Sequence, residues 1–224
     1  MANRNKNSRK HILIVDDHPM MRTGLAQLID NEPGLKVTAE ADNACQAIDA
    51  VNKQKFDLAL LDISLPDKNG LELIKDLRAL KPELPILVVS MHDESFYAER
   101  VLRAGGRGYI MKQEGGKKFL AAIQQVLAGQ IYVSEKMSER ILEAYTGRET
   151  NTSGSPVRKL SDREFEVFQF ISQGLSTRAI AEHLHLSMKT VEVHRANIKE
   201  KLELKTATDL VRYAVRWLDS NPQV

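Results

Sequence analysis

A single cysteine, Cys45, stands in the whole chain. It has no intramolecular partner for a disulfide, and no cysteine-based zinc cluster can be assembled, so the chain suits a reducing cytosol. Long apolar runs are missing as well. The early one, in ILIVDDHP (residues 12–19), is short and runs straight into two acids. That excludes the apolar core of a secretory signal and a membrane span. Nor does one sign of charge dominate. Lys and Arg number 32 against 30 Asp and Glu, and a net charge of +2 does not announce a nucleic-acid binder. There is no internal repeat, and the one stretch of biased composition is TGRETNTSGSP (146–156).

What is present is ordinary globular composition over 224 residues, enough for two domains. Charge is unevenly distributed. Residues 11–128 hold 14 basic against 17 acidic side chains, whereas residues 156–224 hold 11 against 9. An acidic front and a mildly basic rear fit two domains with different partners.

In the front half, short aliphatic runs alternate with helix-period stretches. Strands are expected at 12–15, 35–40, 57–61, 85–90 and 108–111, and helices at 19–30, 43–53, 69–80, 94–104 and 116–128. The strands are aliphatic rather than alternating, which predicts burial on both faces. Five βα units of this kind make an α/β, doubly wound parallel sheet. After residue 128 a helical stretch, SEKMSERILEAY (134–145), precedes the Thr-, Ser- and Gly-rich segment, which reads as a flexible linker. From Leu160 on, every segment reads helical. LSDREF (160–165) is a capping box with Ser161 as cap and Glu164 reaching back, Leu160 and Phe165 are placed to staple it, and Gly174 ends the helix. The expected domains are 11–128, a linker with a short helix at 129–156, and a helical domain at 157–221.

Ligands of an open parallel sheet bind beyond the carboxyl ends of its strands. Asp16 and Asp17 follow the first strand, Asp62 the third and Lys112 the fifth, and Ser90 closes the fourth. Side by side, the acids repel unless a cation joins them. Oxygen ligands suit a hard divalent ion, Mg²⁺ (or Mn²⁺), and Lys112 supplies a second positive charge. Asp62 then becomes a usable nucleophile toward a phosphoryl donor, with Ser90 able to donate to the new phosphoryl oxygens. Singly, each residue has a plainer reading: Asp16 or Asp67 as a helix cap, Lys112 as a solvated lysine, Ser90 as a turn residue. Their conjunction at four strand ends carries the argument.

On these residues, with DD (16–17), LLDISLPDKNG (60–70), VVSMHDE (88–94) and GGRGYIMK (105–112), the front half resembles the receiver domain of two-component systems. The resemblance implies a flavodoxin-like sheet of order 2-1-3-4-5. It implies Asp62 as phosphoacceptor, Asp16, Asp17, Asp62 and the Ser64 carbonyl as metal ligands, and Ser90, Tyr109 and Lys112 as switch and phosphoryl-binding residues. Gly106 departs from the alanine usual in such domains and is expected to loosen the turn before the fifth strand.

In the rear half, 188–202 laid out at about 100° per residue places Val191, Ile198 and Leu202 inward and Lys189, Val193, Ala196 and Glu200 outward. Thr190 and Asn197 flank that outer face on one side, Glu192 and Lys199 on the other, with His194 and Lys201 nearer the core. Small apolar residues among Lys, Asn and Thr are what a major groove accepts, although a plain helical bundle shows the same periodicity. The preceding STRAIAEHLHLS (176–187) supplies helix-turn-helix order. Residues 159–218 resemble the LuxR-type helix-turn-helix, and the chain as a whole resembles NarL/FixJ-class response regulators. That resemblance implies DNA contacts by Lys189, Thr190, His194, Asn197 and Lys201, bases read around Glu192, Val193 and Ala196, and dimerisation through the last helix. Within that helix we take Val211 and Val215 as the pairing residues, with Trp217 and Leu218 at the end of the stripe. Glu192 has two readings: a solvated flank paired with Arg195 or Lys199, or an acceptor for a cytosine amino group.

The expected protein is a cytoplasmic, phosphorylation-controlled transcription regulator. Its partners are a sensor histidine kinase, an inverted-repeat DNA operator and, once phosphorylated, a second copy of itself. Two rivals stand beside this reading: a phosphatase or phosphotransferase built on an Asp nucleophile, and a receiver that binds proteins without phosphorylation.

Overall fold

The computed structural model describes residues 9–145 and 156–221. The stretch expected as a flexible linker therefore lies, apart from Pro156, outside the described residues. The chain divides into two compact units, Met1–Leu142 and Glu143–Val224. No helix among the described residues is long and apolar enough to cross a membrane.

The first unit alternates strands and helices: β1 (Lys10–Val15), α1 (Pro19–Asp30), β2 (Leu35–Ala41), α2 (Ala44–Lys53), β3 (Leu58–Leu61), α3 (Gly70–Leu80), β4 (Ile86–Ser90), α4 (Glu94–Ala104), β5 (Gly108–Met111) and α5 (Gly116–Leu127). The strands form one parallel sheet in the order β2-β1-β3-β4-β5. Side chains alternate along a strand. Ile12, Ile14, Leu58, Leu60, Leu87 and Val89 accordingly pack on α1 and α5 through Leu25, Ile29, Phe119 and Ile123. Their neighbours Leu13, Val15, Ala59, Leu61 and Val88 are equally buried on the other face. Burial on both faces holds for β1, β3 and β4. It fails for β2, whose residues 36–40 are partly or fully exposed because it forms the sheet edge. The turn at Gly106 is not loose either. Its amide donates to the Val101 carbonyl at 2.9 Å, and a Cβ there would come within 2.5 Å of Val101 Cγ1. Close packing against Val101, not slack, surrounds this glycine.

α6 (Glu135–Tyr145) follows, and a turn of 3-10 helix (Pro156–Lys159) begins the described part of the second unit. Then come α7 (Asp162–Ser172), α8 (Thr177–His183), α9 (Met188–Lys201) and α10 (Ala207–Asp219). The Ser161/Glu164 capping box opens α7, and Leu160 and Phe165 flanking it are both buried. Gly174 closes α7 at φ +81°, a backbone conformation that a side chain resists. The core gathers Phe165, Phe168, Ile180, Val191, Ile198, Leu210 and Ala214. Trp217 belongs here as well. It meets Phe165 and Phe168 edge to face, with centroids 5.9 and 5.2 Å apart. The apolar stripe of α10 is therefore two stripes: Leu210, Ala214 and Trp217 face the bundle, whereas Val211 and Val215 remain exposed. Trp217 is a core residue rather than part of a pairing surface.

Candidate functional sites: an acidic pocket and an exposed helix

Asp16, Asp62 and Lys112 meet where the sequence placed them, beyond the carboxyl ends of the sheet. The Lys112 ammonium lies 2.7 Å from Asp16 Oδ2 and 2.8 Å from Asp62 Oδ2, with all three side chains at 6 % exposure or less. Burial pushes the Asp62 carboxyl above the ordinary carboxylate range. The Lys112 charge pulls it back, and the neighbouring Asp16 charge adds to the rise. Burial also works against the Lys112 ammonium, but the two carboxylates outweigh it and hold that lysine above its usual value. Gly70 opens α3 so close beneath this loop that a Cβ would lie 2.6 Å from the Asp62 carbonyl oxygen.

Asp17 is more open, at 36 % exposure. Ligand atoms of Asp16, Asp17, His18 and Asp62 all lie within 4.8 Å of one another. An oxygen-rich set of this size fits a small hard divalent cation. His18 escaped the sequence reading. Its Nδ1 stands 2.6 Å from Asp17 and 3.2 Å from Asp16. Arg22 escaped it too. Its guanidinium donates to the Asp16 carbonyl at 2.6 Å and faces Glu40 of β2 at 3.4 Å, fixing the loop that presents both acids. A basic residue one helical turn into α1 was the available signal. Asp67 does act as a cap, but for α2. Its two oxygens accept from the Ala44 and Cys45 amides at 2.8 and 3.0 Å.

The loop after β4 ties the remaining residues together. Ser90 is fully buried, and its Oγ accepts from the His92 amide at 3.2 Å. Tyr109 is turned inward and donates from its hydroxyl to the His92 carbonyl at 2.7 Å. Burial pushes its phenol well above the ordinary value, against a hydrogen bond with Ser90. The His92 ring stacks on Tyr97 of α4, with centroids 4.8 Å apart. Its Nε2 lies 3.0 Å from the Ser64 hydroxyl. Burial and the nearby Lys112 charge lower the His92 pKa to about 4, so the ring is neutral at pH 7.

The second unit presents α8 and α9 as helix, turn, helix. The turn passes through His185 at φ 51°, and the Leu186 amide returns to the Ala181 carbonyl at 2.9 Å. Val191, Ile198 and Leu202 point inward, as their spacing required. Lys189, Val193, Ala196 and Glu200 are exposed, and Thr190 and Asn197 are half-buried beside them. Two residues expected to face DNA are drawn back. Lys201 pairs with the buried Glu164 carboxylate at 2.6 Å, the same oxygen that closes the α7 capping box. Burial alone would raise the Glu164 carboxyl, but Lys201 and the Ser161 amide hold it below its usual range. The His194 Nδ1 is buried without a protein partner, and burial lowers that imidazole's pKa.

Glu192 has a partner that neither sequence reading named. Its Oε1 accepts from the Thr177 hydroxyl in the first turn of α8 at 2.8 Å, with Arg195 only at 4.0 Å. The carboxylate thus braces the two helices. An amide oxygen would do the same without the charge that phosphates repel. Glu192→Gln is therefore expected to tighten binding to every duplex by about threefold to tenfold, with unchanged base preference in a random-pool selection. A change confined to one base position would restore the base-reading role.

Known proteins resemble the chain along both units. Residues 12–124 match the model of the response regulator receiver domain, and residues 158–214 that of the luxR family of bacterial regulatory proteins. The chain is 33 % identical to Oxygen regulatory protein NreC of Staphylococcus carnosus, over 92 % of this chain and 96 % of that one. A solved two-component response regulator of the LuxR family from Aurantimonas is 32 % identical, covers 62 % of this chain and 99 % of its own, and superposes with a TM-score of 0.58. RcsB of Salmonella enterica, solved bound to the rprA promoter, shares the fold at TM-score 0.68 and 23 % identity, over 93 % of this chain and 99 % of its own.

Proposed function

Because this chain belongs to the response regulators that join a receiver domain to a luxR-family DNA-binding domain, we propose that Asp62 accepts the phosphoryl group that controls it. The protein is a phosphorylation-controlled, DNA-binding transcription regulator of a two-component system, not a classical enzyme. Response regulators act with sensor kinases, and receiver domains bind Mg²⁺ at an acidic pocket.

The observation that carries the assignment is the Lys112 ammonium bridging Asp16 and Asp62 at the carboxyl end of the sheet. A phosphohistidine of the partner kinase is the donor. An Asp62 oxygen attacks phosphorus, the P–N bond to the histidine breaks, and the imidazole leaves with that electron pair. Asp16, Asp17, Asp62 and the Ser64 carbonyl are the groups to hold Mg²⁺ or Mn²⁺, which would neutralise charge on the transferring phosphoryl oxygens. Lys112 moves from bridging two carboxylates to anchoring the phosphoryl group. Ser90 turns its hydroxyl toward the new oxygens and away from the His92 amide, and Tyr109, already turned inward, carries the movement of that loop through its bond to the His92 carbonyl. Only differential contact of this kind shifts a two-state equilibrium. Hydrolysis returns Asp62 to the free carboxylate, so the receiver catalyses its own transfer and dephosphorylation and nothing else.

We assign the receiver to 11–128, the connecting segment to 129–156 and the DNA-binding domain to 157–221. On α9, Lys189, Thr190 and Asn197 are assigned to phosphates, and Val193 and Ala196 to base edges. Phosphorylated protein pairs through Val211 and Val215 of α10 on an inverted-repeat operator in the cytoplasm. Selection of duplexes from a random pool, with and without acetyl phosphate and Mg²⁺, tests the whole reading. The expected product is an inverted repeat enriched far more strongly in the phosphorylated sample. Equal enrichment in both samples would separate DNA binding from phosphorylation and overturn it.

A further inference from the structure

Beyond α5 the chain stays on the first unit for several residues. Gly129 turns it back at φ +82°, and residues 130–134 run along the free edge of β5. The Tyr109 amide donates to the Tyr132 carbonyl at 2.8 Å, and the Tyr132 amide donates to the Arg107 carbonyl at 3.0 Å. These two bonds form a parallel bridge at Gly108. A side chain there would collide, since its Cβ would lie 2.7 Å from the Tyr132 oxygen and 2.9 Å from Leu87 Cδ1. The Gln125 side-chain amide of α5 adds a bond to the Ile131 carbonyl at 2.7 Å.

The far end of this segment is held by a different element. The Ser134 amide donates to Glu94 Oε1 at 2.7 Å, and Glu94 sits in the first turn of α4. Ser134 in turn caps α6, its Oγ accepting from the Met137 amide at 3.1 Å. α6 continues to Tyr145, past the division between the units at Leu142.

Tyr132 and Ser134 are two residues apart, a span of about 7 Å when extended. So short a span has no slack. A contact of 2.7 Å leaves the hydrogen-bonding range once it grows by about 0.8 Å, so a shift of α4 against β5 that the Glu94 side chain cannot follow breaks one anchor. The backbone bridge to β5 is the stiffer of the two, which leaves the single side chain of Glu94 as the contact that yields. Tyr109 adjoins both anchors. Its amide holds Tyr132, and its hydroxyl holds the His92 carbonyl in the loop that leads into α4.

We propose that residues 130–134 are a strap that reports the state of the phosphoryl pocket to α6, through a Glu94–Ser134 contact made in the unphosphorylated protein and lost on phosphorylation. The proposal rests on Asp62 as acceptor and on the Ser90–His92 contact in the loop leading into α4 changing with it. Amide exchange is followed by NMR on the full-length protein, with and without acetyl phosphate and Mg²⁺, and phosphoryl incorporation is measured on the same samples. On labelling, exchange at Ser134 is expected to rise at least tenfold while Tyr132 keeps its protection. Glu94→Ala should exchange quickly at Ser134 from the outset and label like the wild type. It should lose most of the phosphorylation-dependent gain in affinity for duplex enriched by labelled wild-type protein. Glu94→Gln keeps an acceptor oxygen and should behave as wild type. Ser134 protection that survives labelling, or an undiminished gain in Glu94→Ala, overturns the strap alone. Failure of the wild type to label overturns the acceptor reading and the strap with it.

Discussion

Asp62→Asn is expected to lower phosphoryl incorporation from acetyl phosphate and Mg²⁺ by at least a hundredfold, with the fold retained. The replacement keeps the shape of a side chain that is 3 % exposed and removes the oxygen nucleophile. It also removes one of two like charges held around Lys112, which keeps Asp16 at 2.7 Å as its counter-ion. Relief of that repulsion offsets the lost ion pair, so thermal unfolding should move little. The wild-type label should be stable in acid and labile in base, as an acyl phosphate is, and EDTA should abolish it. Incorporation into Asp62→Asn equal to the wild type would place the phosphoryl group elsewhere.

The second large effect is expected at α10. Val211 and Val215, each 39 % exposed, lie one helical turn apart, about a third of a turn around the helix from Leu210, Ala214 and Trp217. A carboxylate there costs the isolated unit little, because water reaches it. In a pair of units the same carboxylate would be desolvated against an apolar surface. Val215→Asp should therefore reduce affinity for a two-half-site duplex at least tenfold, the scale of gain that linking two sites provides. Affinity for a single half-site should stay within about twofold. Equal losses on both duplexes would point to a damaged unit or a different interface.

Much of the site could be read from the chain because its physics is local. Acids following aliphatic runs must lie at strand ends, and Lys112 two residues beyond the centre of β5 must reach the same rim. The inward stripe of α9 followed from a period of 3.6 residues alone. Where partners are distant in sequence, the reading ran out. Glu192 was weighed against neighbours on its own helix, yet its partner is Thr177, 15 residues earlier on another. Lys201 reads as a surface cation until Glu164, 37 residues away, is placed beside it. Trp217 looked like the end of an exposed stripe because a helical wheel does not show which neighbour covers each side.

By itself, the sequence determined the element types, the doubly wound sheet, the helix-turn-helix order and the residues gathered at the pocket. Each follows from periodicity, capping and the direction of parallel strands. Tertiary structure alone decided what each polar group does when its own segment offers no partner. Arg22 secures the acid-bearing loop from the first turn of α1, His92 ties Ser64 to Tyr97, and Glu94 reaches residue 134 from α4. The reason is that a hydrogen bond depends on positions to within a few tenths of an ångström. Sequence spacing defines those positions only inside one element, whereas between elements they are set by the packing of the core.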